Sequence, residues 1–218
     1  MARLKLGVLI SGRGSNLQAL IDAAADPAFP AEIAVVISNI ADAQGLQRAT
    51  DAGIETCVID HKVHDGRAAF ESALTEALEA YQVRLVCLAG FMRLLTKGFV
   101  DHWRDRIINI HPSLLPAFKG LNTHERVLDY GVKFTGCTVH FVRAEMDDGP
   151  IIVQGVVPVI SGDTPDRLAT RVLQVEHRIY PLAVRLVAEG RARVVGNAVN
   201  IDVKDHEAED IILVNPQA

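Results

Sequence analysis

Short apolar runs alternate with amphipathic stretches through the first half of the chain, the pattern of a parallel sheet covered by helices on both faces. Lys5 to Ile10 reads as a buried strand, followed by a helix from Ser15 to Ala25 rich in Ala and Leu. The alternation repeats with a strand from Ile33 to Ser38, a helix from Ala43 to Ala52 ended by Gly53, and a strand from Thr56 to Ile59. A long helix from Asp65 to Gln82 comes next. In it Ala69, Phe70, Ala73, Leu74, Ala77, Leu78 and Tyr81 recur at three- and four-residue steps, one apolar stripe for a sheet face. Arg84 to Ala89 is the next strand, Thr96 to Trp103 a short helix, and Ile107 to Ile110 the strand that presents His111. Such alternation implies right-handed crossovers and a twisted sheet.

The second half changes character. Thr135 to Val142 and Ile151 to Ile160 read as strands joined only by residues 143–150, too few for a parallel crossover, so they pair as a hairpin. The expected fold is therefore α/β with a mixed sheet, parallel first and antiparallel later. Thr164 and Pro165 form an N-cap and first-turn pair, opening a helix that runs to about Glu189 and ends at Gly190. From about Asp205 the tail mixes charged and apolar residues, as an accessory strand or a loose end.

With 218 residues and 49% hydrophobic composition, one domain over 1–218 is expected. No apolar run approaches the roughly 20 residues that span a bilayer. Met1-Ala2-Arg3 leads straight into a strand without a signal-peptide pattern, so a cytoplasmic protein with no membrane partner is expected. Cys57, Cys87 and Cys137 are odd in number and far apart, which suits reduced core thiols. The formal net charge is −5 and the basic residues form no stripe, which argues against nucleic acid and for small-molecule chemistry.

Candidate chemistry gathers at three places. The run Asn109-Ile110-His111-Pro112-Ser113-Leu114-Leu115-Pro116 places an amide and an imidazole at a strand end, where ligands bind in open α/β sheets; a strand-capping Asn and a solvated His is the equal alternative. Ser11-Gly12-Arg13-Gly14-Ser15-Asn16 lies between a strand and a helix, where free N–H groups favour an anion. Leu17 replaces the third glycine of a dinucleotide fingerprint, and Ser38-Asn39 stand where it would carry an acid, so a nicotinamide is disfavoured. A phosphate monoester held by Gly14, Ser15 and Asn16 remains, against glycines that merely permit a turn. Third, Met146-Asp147-Asp148-Gly149-Pro150 places two carboxylates at a hairpin end; they are ordinary turn residues unless that end meets His111, where Asp147 would favour the charged ring.

Other polar residues rank lower. His140 lies in a strand and is expected to support the site rather than react. His61 and His64 have ligand-like spacing without a third ligand, so a solvated loop is expected and no metal. Glu176 is expected to reach a substrate or to pair with Arg residues of its own helix. The Pro, Gly and Lys content of residues 112–131 fits a mobile substrate lid or an ordinary surface loop.

In this order, Gly14-Ser15-Asn16, Leu88-Ala89-Gly90-Phe91-Met92-Arg93, Asn109 to Pro116 and Asp147-Asp148-Gly149-Pro150 closely resemble the phosphoribosylglycinamide formyltransferases, over about residues 4 to 195. Phe118-Lys119-Gly120, Thr135 to Phe141 and Glu176 to Pro181 are similar to that family too. The resemblance implies a Rossmann-like formyltransferase fold. It also implies formyl transfer from 10-formyltetrahydrofolate, as co-substrate, to the amine of glycinamide ribonucleotide in de novo purine synthesis, with no metal. By matched position it implies Asn109, His111 and Asp147 as the catalytic trio, and Gly14, Ser15, Asn16, Gly120 and Glu176 as ribonucleotide contacts. For the folate it implies Arg67, Met92, Arg93, Leu94, Leu95, Asn109, Arg143, Ala144, Glu145, Met146 and Asp147. The amino-terminal half would then hold the ribonucleotide phosphate, and the carboxyl-terminal half the folate and catalysis, in a monomer or homodimer.

Asn122 stands where many relatives carry His, and the tail after about Gly196 follows no familiar pattern. Two relatives share the His-Pro-Ser-Leu-Leu-Pro core, the formyltetrahydrofolate hydrolase and the enzyme that formylates initiator methionyl-tRNA. Their extra domains have no counterpart expected here. A non-enzymatic folate- or nucleotide-binding module is the third alternative.

Overall fold

The computed structural model describes residues 2–202 together with Leu213 and Asn215. The tail expected from about Asp205 otherwise lies outside the described residues. Strands β1 (Leu4–Ile10), β2 (Ala31–Ser38), β3 (Thr56–Val58), β4 (Leu85–Leu88), β5 (Ile107–His111), β6 (Phe134–Phe141) and β7 (Ile151–Pro158) form one sheet in the order β3-β2-β1-β4-β5-β6-β7. Neighbours from β3 to β5 are parallel, and β6 and β7 add antiparallel, giving the mixed sheet expected.

Helices α1 (Ser15–Ala24), α2 (Gln44–Asp51), α3 (Gly66–Ala80), α4 (Lys97–His102), α5 (Thr123–Tyr130) and α6 (Pro165–Ala188) connect them. Because side chains alternate across a strand, consecutive residues of β1 enter different cores. Val8 and Ile10 pack with Leu17, Leu20, Leu168, Tyr180 and Val184 beneath α1 and α6. Leu9 packs with Phe70, Leu74, Leu78 and Trp103 beneath α3 and α4. The buried Tyr180 hydroxyl donates to the Leu88 carbonyl at 2.9 Å, tying α6 to β4.

The polar edge follows from this topology. β1 has β2 on one side and β4 on the other, so the chain switches direction of winding beside β1 and leaves a crevice at the carboxyl ends of these strands.

Two elements depart from expectation. Residues expected as a loop over 112–131 contain α5, and a separate antiparallel hairpin, β8 (Ala192–Val195) with β9 (Ala198–Ile201), follows α6. β2 also starts at Ala31 and β7 stops at Pro158, small shifts of strand ends. Among the described residues no helix is long and apolar enough to cross a membrane.

Candidate active site

β5 carries Asn109 and His111 two residues apart, so both side chains leave the same face of the sheet. Asn109 lies inside the strand and His111 is its last residue. In the antiparallel ladder Asn109 faces His140 and His111 faces Thr138. The His140 ring donates from Nδ1 to the Phe141 carbonyl at 3.0 Å, which leaves the Nε2 lone pair to accept from Asn109 Nδ2 at 3.4 Å. Burial pushes the His140 pKa below its ordinary value, which keeps the ring neutral and the Nε2 acceptor available. His140 therefore orients the Asn109 amide. His140→Leu is expected to reduce kcat/KM of the reaction this site serves about tenfold without loss of fold, the cost of one lost orienting hydrogen bond, as steady-state kinetics would show.

The acidic hairpin does meet the imidazole. Asp147 Oδ2 lies 3.5 Å from His111 Nδ1, with the two side chains 14% and 7% exposed. The same oxygen accepts from the Gly120 N–H at 2.7 Å, and His111 Nε2 donates to the Phe118 carbonyl at 3.0 Å. Both ring nitrogens thus face oxygen acceptors. Asp147 has φ +48°, a left-handed conformation that Asp tolerates better than most residues. Its neighbour Asp148 points away to pair with Lys119 Nζ at 2.5 Å.

Residues 112–131 are not loop throughout. The Thr138 hydroxyl donates to the Ser113 carbonyl at 2.7 Å and accepts from the Leu115 N–H and from Gln154 Nε2, each at 3.0 Å. Gln154 also donates to the Leu115 carbonyl at 2.9 Å. Residues 113–115 are clamped to β6 and β7, and 123–130 are helical, so only 118–122 forms an irregular crossing over the imidazole. His124, which carries no motif, sits in the first turn of α5. Burial, reinforced by the nearby His111, pushes its pKa down, and its buried Nδ1 has no partner among the described residues.

The glycine turn caps α1. Gly14 is the N-cap at φ +70°, and a Cβ there would come within 2.7 Å of the Gly45 Cα, so glycine is required by conformation and by close approach. No side chain caps this helix. Gly45 N–H donates to the Gly12 carbonyl at 3.0 Å, a partnership sequence reading missed because Gly12 lies in the turn before α1 and Gly45 in the first turn of α2. Asn16 Nδ2 donates to Glu176 Oε2 at 2.7 Å, bringing two of the expected residues together across 160 positions.

Glu176 bonds Asn16 and makes no ion pair with an arginine of its helix among the described residues. Burial raises its pKa above the ordinary 4.5, and the Asn16 hydrogen bond only partly offsets this. The folded state thus holds this proton more tightly than the unfolded chain, and the associated stability is lost as pH rises through the raised value. Glu176→Gln is expected to raise Tm at pH 7 by about 2–4 °C, a gain that vanishes below about pH 4.5 in melts across pH.

A groove of about 660 Å³ lined by Phe118, Arg126, Asp129 and Tyr130 contains none of Asn109, His111 or Asp147. The candidate centre is defined by those three side chains rather than by cavity volume. A model of the formyl transferase family matches residues 4–184. Phosphoribosylglycinamide formyltransferase of Escherichia coli (strain K12) is 45% identical over 91% of this chain and 94% of its own length. The trifunctional purine biosynthetic protein adenosine-3 of Bos taurus is 54% identical over 89% of this chain, which spans only 19% of that longer protein. The crystal structure of glycinamide ribonucleotide transformylase 1 from Symbiobacterium toebii superposes with a TM-score of 0.89 at 52% identity, covering 91% of this chain and 94% of that one. The chain belongs to the phosphoribosylglycinamide formyltransferase family.

The remaining residues expected from that family form a looser set. Met92 and Leu94 are 70% and 61% exposed after β4, Arg93 and Leu95 are half-buried, and Arg67 is exposed in the first turn of α3. Ala144, Glu145 and Met146 are exposed on the hairpin. Arg143 instead pairs with Asp105 at 2.6 Å, so its charge is committed within the protein. Gly120 likewise gives its N–H to Asp147. Sequence reading missed Glu71, a buried carboxylate that accepts from the Thr96 N–H at 2.7 Å and from its hydroxyl, anchoring the far end of the 91–96 segment. It also expected solvated histidines at 61 and 64. His61 Nδ1 instead lies 3.1 Å from Asn39 Nδ2, and both rings pack on Phe70.

Proposed function

We propose that this chain transfers the formyl group of 10-formyltetrahydrofolate to the amine of glycinamide ribonucleotide, giving formylglycinamide ribonucleotide and tetrahydrofolate in de novo purine synthesis. The observation that carries this reading is the Asp147 carboxylate against His111 Nδ1, on the sheet face that also presents Asn109.

Attack of an amine on a formyl carbon creates an oxyanion, which needs donors aimed at it. Asn109 has one N–H beyond that given to His140, and protonated His111 supplies the other. In the present conformation His111 Nε2 is committed to the Phe118 carbonyl, so capture of the oxyanion exchanges that carbonyl for the substrate oxygen. Asp147 holds the ring in place and organises a water that carries the proton from the attacking amine toward the departing folate nitrogen.

The uncapped start of α1 at Gly14, Ser15 and Asn16 suits the phosphate, with Glu176 and Gly120 contacting the rest of the ribonucleotide. The 91–95 segment, Arg67 and residues 143–147 flank the folate. Holding both substrates converts a two-body encounter into an oriented one. In this reading the chain is one catalytic domain working in the cytoplasm on small molecules, as a monomer or homodimer.

Three incubations test it. The protein with formyl folate and glycinamide ribonucleotide should yield formylated ribonucleotide; formate released without the amine would mark a hydrolase, and binding without turnover a carrier.

A further inference from the structure

Four strand ends are joined by side chains that the mechanism does not use. The Ser11 hydroxyl, just after β1, accepts from the Met92 N–H at 2.8 Å and donates to Asn39 Oδ1 at 2.6 Å. The direction is unambiguous, because a backbone N–H can only donate and the hydroxyl has one proton left to give. Asn39, after β2 and 3% exposed, then presents its Nδ2 to His61 Nδ1 at 3.1 Å, after β3. The His61 ring lies edge-on to Phe70 at 6.2 Å, and Phe70 stacks on Phe91 at 6.4 Å with 14° between planes. Phe91 precedes Met92, so the circuit closes. The Ser11 N–H also donates to the Gly90 carbonyl at 3.2 Å.

One end of this circuit is the first residue of the glycine turn that caps α1. The other is the backbone of the segment carrying Met92, Arg93 and Leu94. Ser11 belongs to the first through its backbone and reaches the second through its hydroxyl oxygen, whose proton Asn39 takes. We propose that Ser11 is a positioning residue that links the two substrate half-sites, so that ordering the turn around a ribonucleotide phosphate orders the 90–93 segment for the pterin-bearing substrate, and the reverse. This linkage rests on the functional reading above. Removing the hydroxyl leaves the Met92 N–H and the buried Asn39 oxygen without their partner. The loss cuts the link between the turn and the 90–93 segment and touches no reacting atom. Linkage also requires reciprocity: each substrate changes the other's affinity by the same factor.

The test is steady-state kinetics of wild type, Ser11→Ala and Ser11→Thr, with calorimetric binding of glycinamide ribonucleotide with and without saturating tetrahydrofolate, a pair that holds no formyl group to transfer. Ser11→Ala should raise both Michaelis constants roughly five- to tenfold with kcat within about twofold, the scale of one lost hydrogen bond. Tetrahydrofolate should tighten ribonucleotide binding in wild type, and this factor should fall toward one in Ser11→Ala and return in Ser11→Thr, which keeps the hydroxyl. A folded Ser11→Ala with only one Michaelis constant moved, with both unmoved, or with the wild-type tightening factor overturns the linkage. Absence of transfer by the wild-type protein overturns the functional reading itself, so the two failures are distinguishable.

Discussion

His111→Ala is expected to lower kcat for formyl transfer by roughly 10³-fold, within the range for losing a positioned proton donor and an oxyanion partner together. The fold should survive. His111 is the last residue of β5, its backbone keeps the ladder to Thr138, and the clamp on Ser113 and Leu115 comes from Thr138 and Gln154 rather than from the imidazole. Asp147 keeps the Gly120 N–H as partner, so truncation does not strand its carboxylate. Asn109 still offers one donor, held by His140, which leaves residual activity above the uncatalysed rate. Michaelis constants should change little, because the imidazole is not among the groups expected to grip the phosphate or the folate. The measurement is steady-state kinetics on both substrates beside circular dichroism and a thermal melt. Wild-type turnover in a folded His111→Ala protein would remove His111 from the mechanism.

The reading from sequence reached the sheet because its signals are local. β1, β2, β4 and β5 are each built on a short apolar run, and the nine residues between β6 and β7 leave no room for anything but a hairpin. The eight-residue α5 was hidden by the Pro, Gly and Lys around it, and Thr123 to Tyr130 is too short to show a full apolar stripe. β8 and β9 did leave a mark, since Val194-Val195 and Ala198-Val199 flank Gly196-Asn197, a two-residue hairpin signature. What no local pattern could give is pairing across the chain. Gly14 against Gly45, Glu71 beneath Thr96, and Ser11 joined to Asn39 and Met92 depend on strand order, which places residues 11, 39, 61 and 92 at one edge although up to 81 positions separate them. The roles of Asn109, His111 and Asp147 came from family likeness. Geometry adds the tautomer of His140 and the Phe118 carbonyl on His111, neither of which composition or spacing encodes.

Asp147→Asn should cost roughly 10²-fold in kcat while leaving ribonucleotide binding nearly unchanged. The substitution is nearly isosteric, and the amide oxygen can still accept from the Gly120 N–H, so the hairpin keeps its place. What changes is the charge facing His111 Nδ1. The oxygen that takes the Gly120 N–H is also the one facing the imidazole, so an amide oxygen keeps the 3.5 Å contact but removes the compensating negative charge from a ring that carries a proton on Nδ1. Because Asp147 acts through the ring, its loss should hardly add to that of His111. In the double variant the Asp147→Asn step should cost less than about threefold, against roughly 10²-fold alone, since residues that work as a unit are strongly non-additive. An equal cost in both backgrounds would mean that the carboxylate acts on the substrate or the relaying water by itself. It would then be a separate proton carrier, and the 3.5 Å approach to His111 would be incidental to the chemistry.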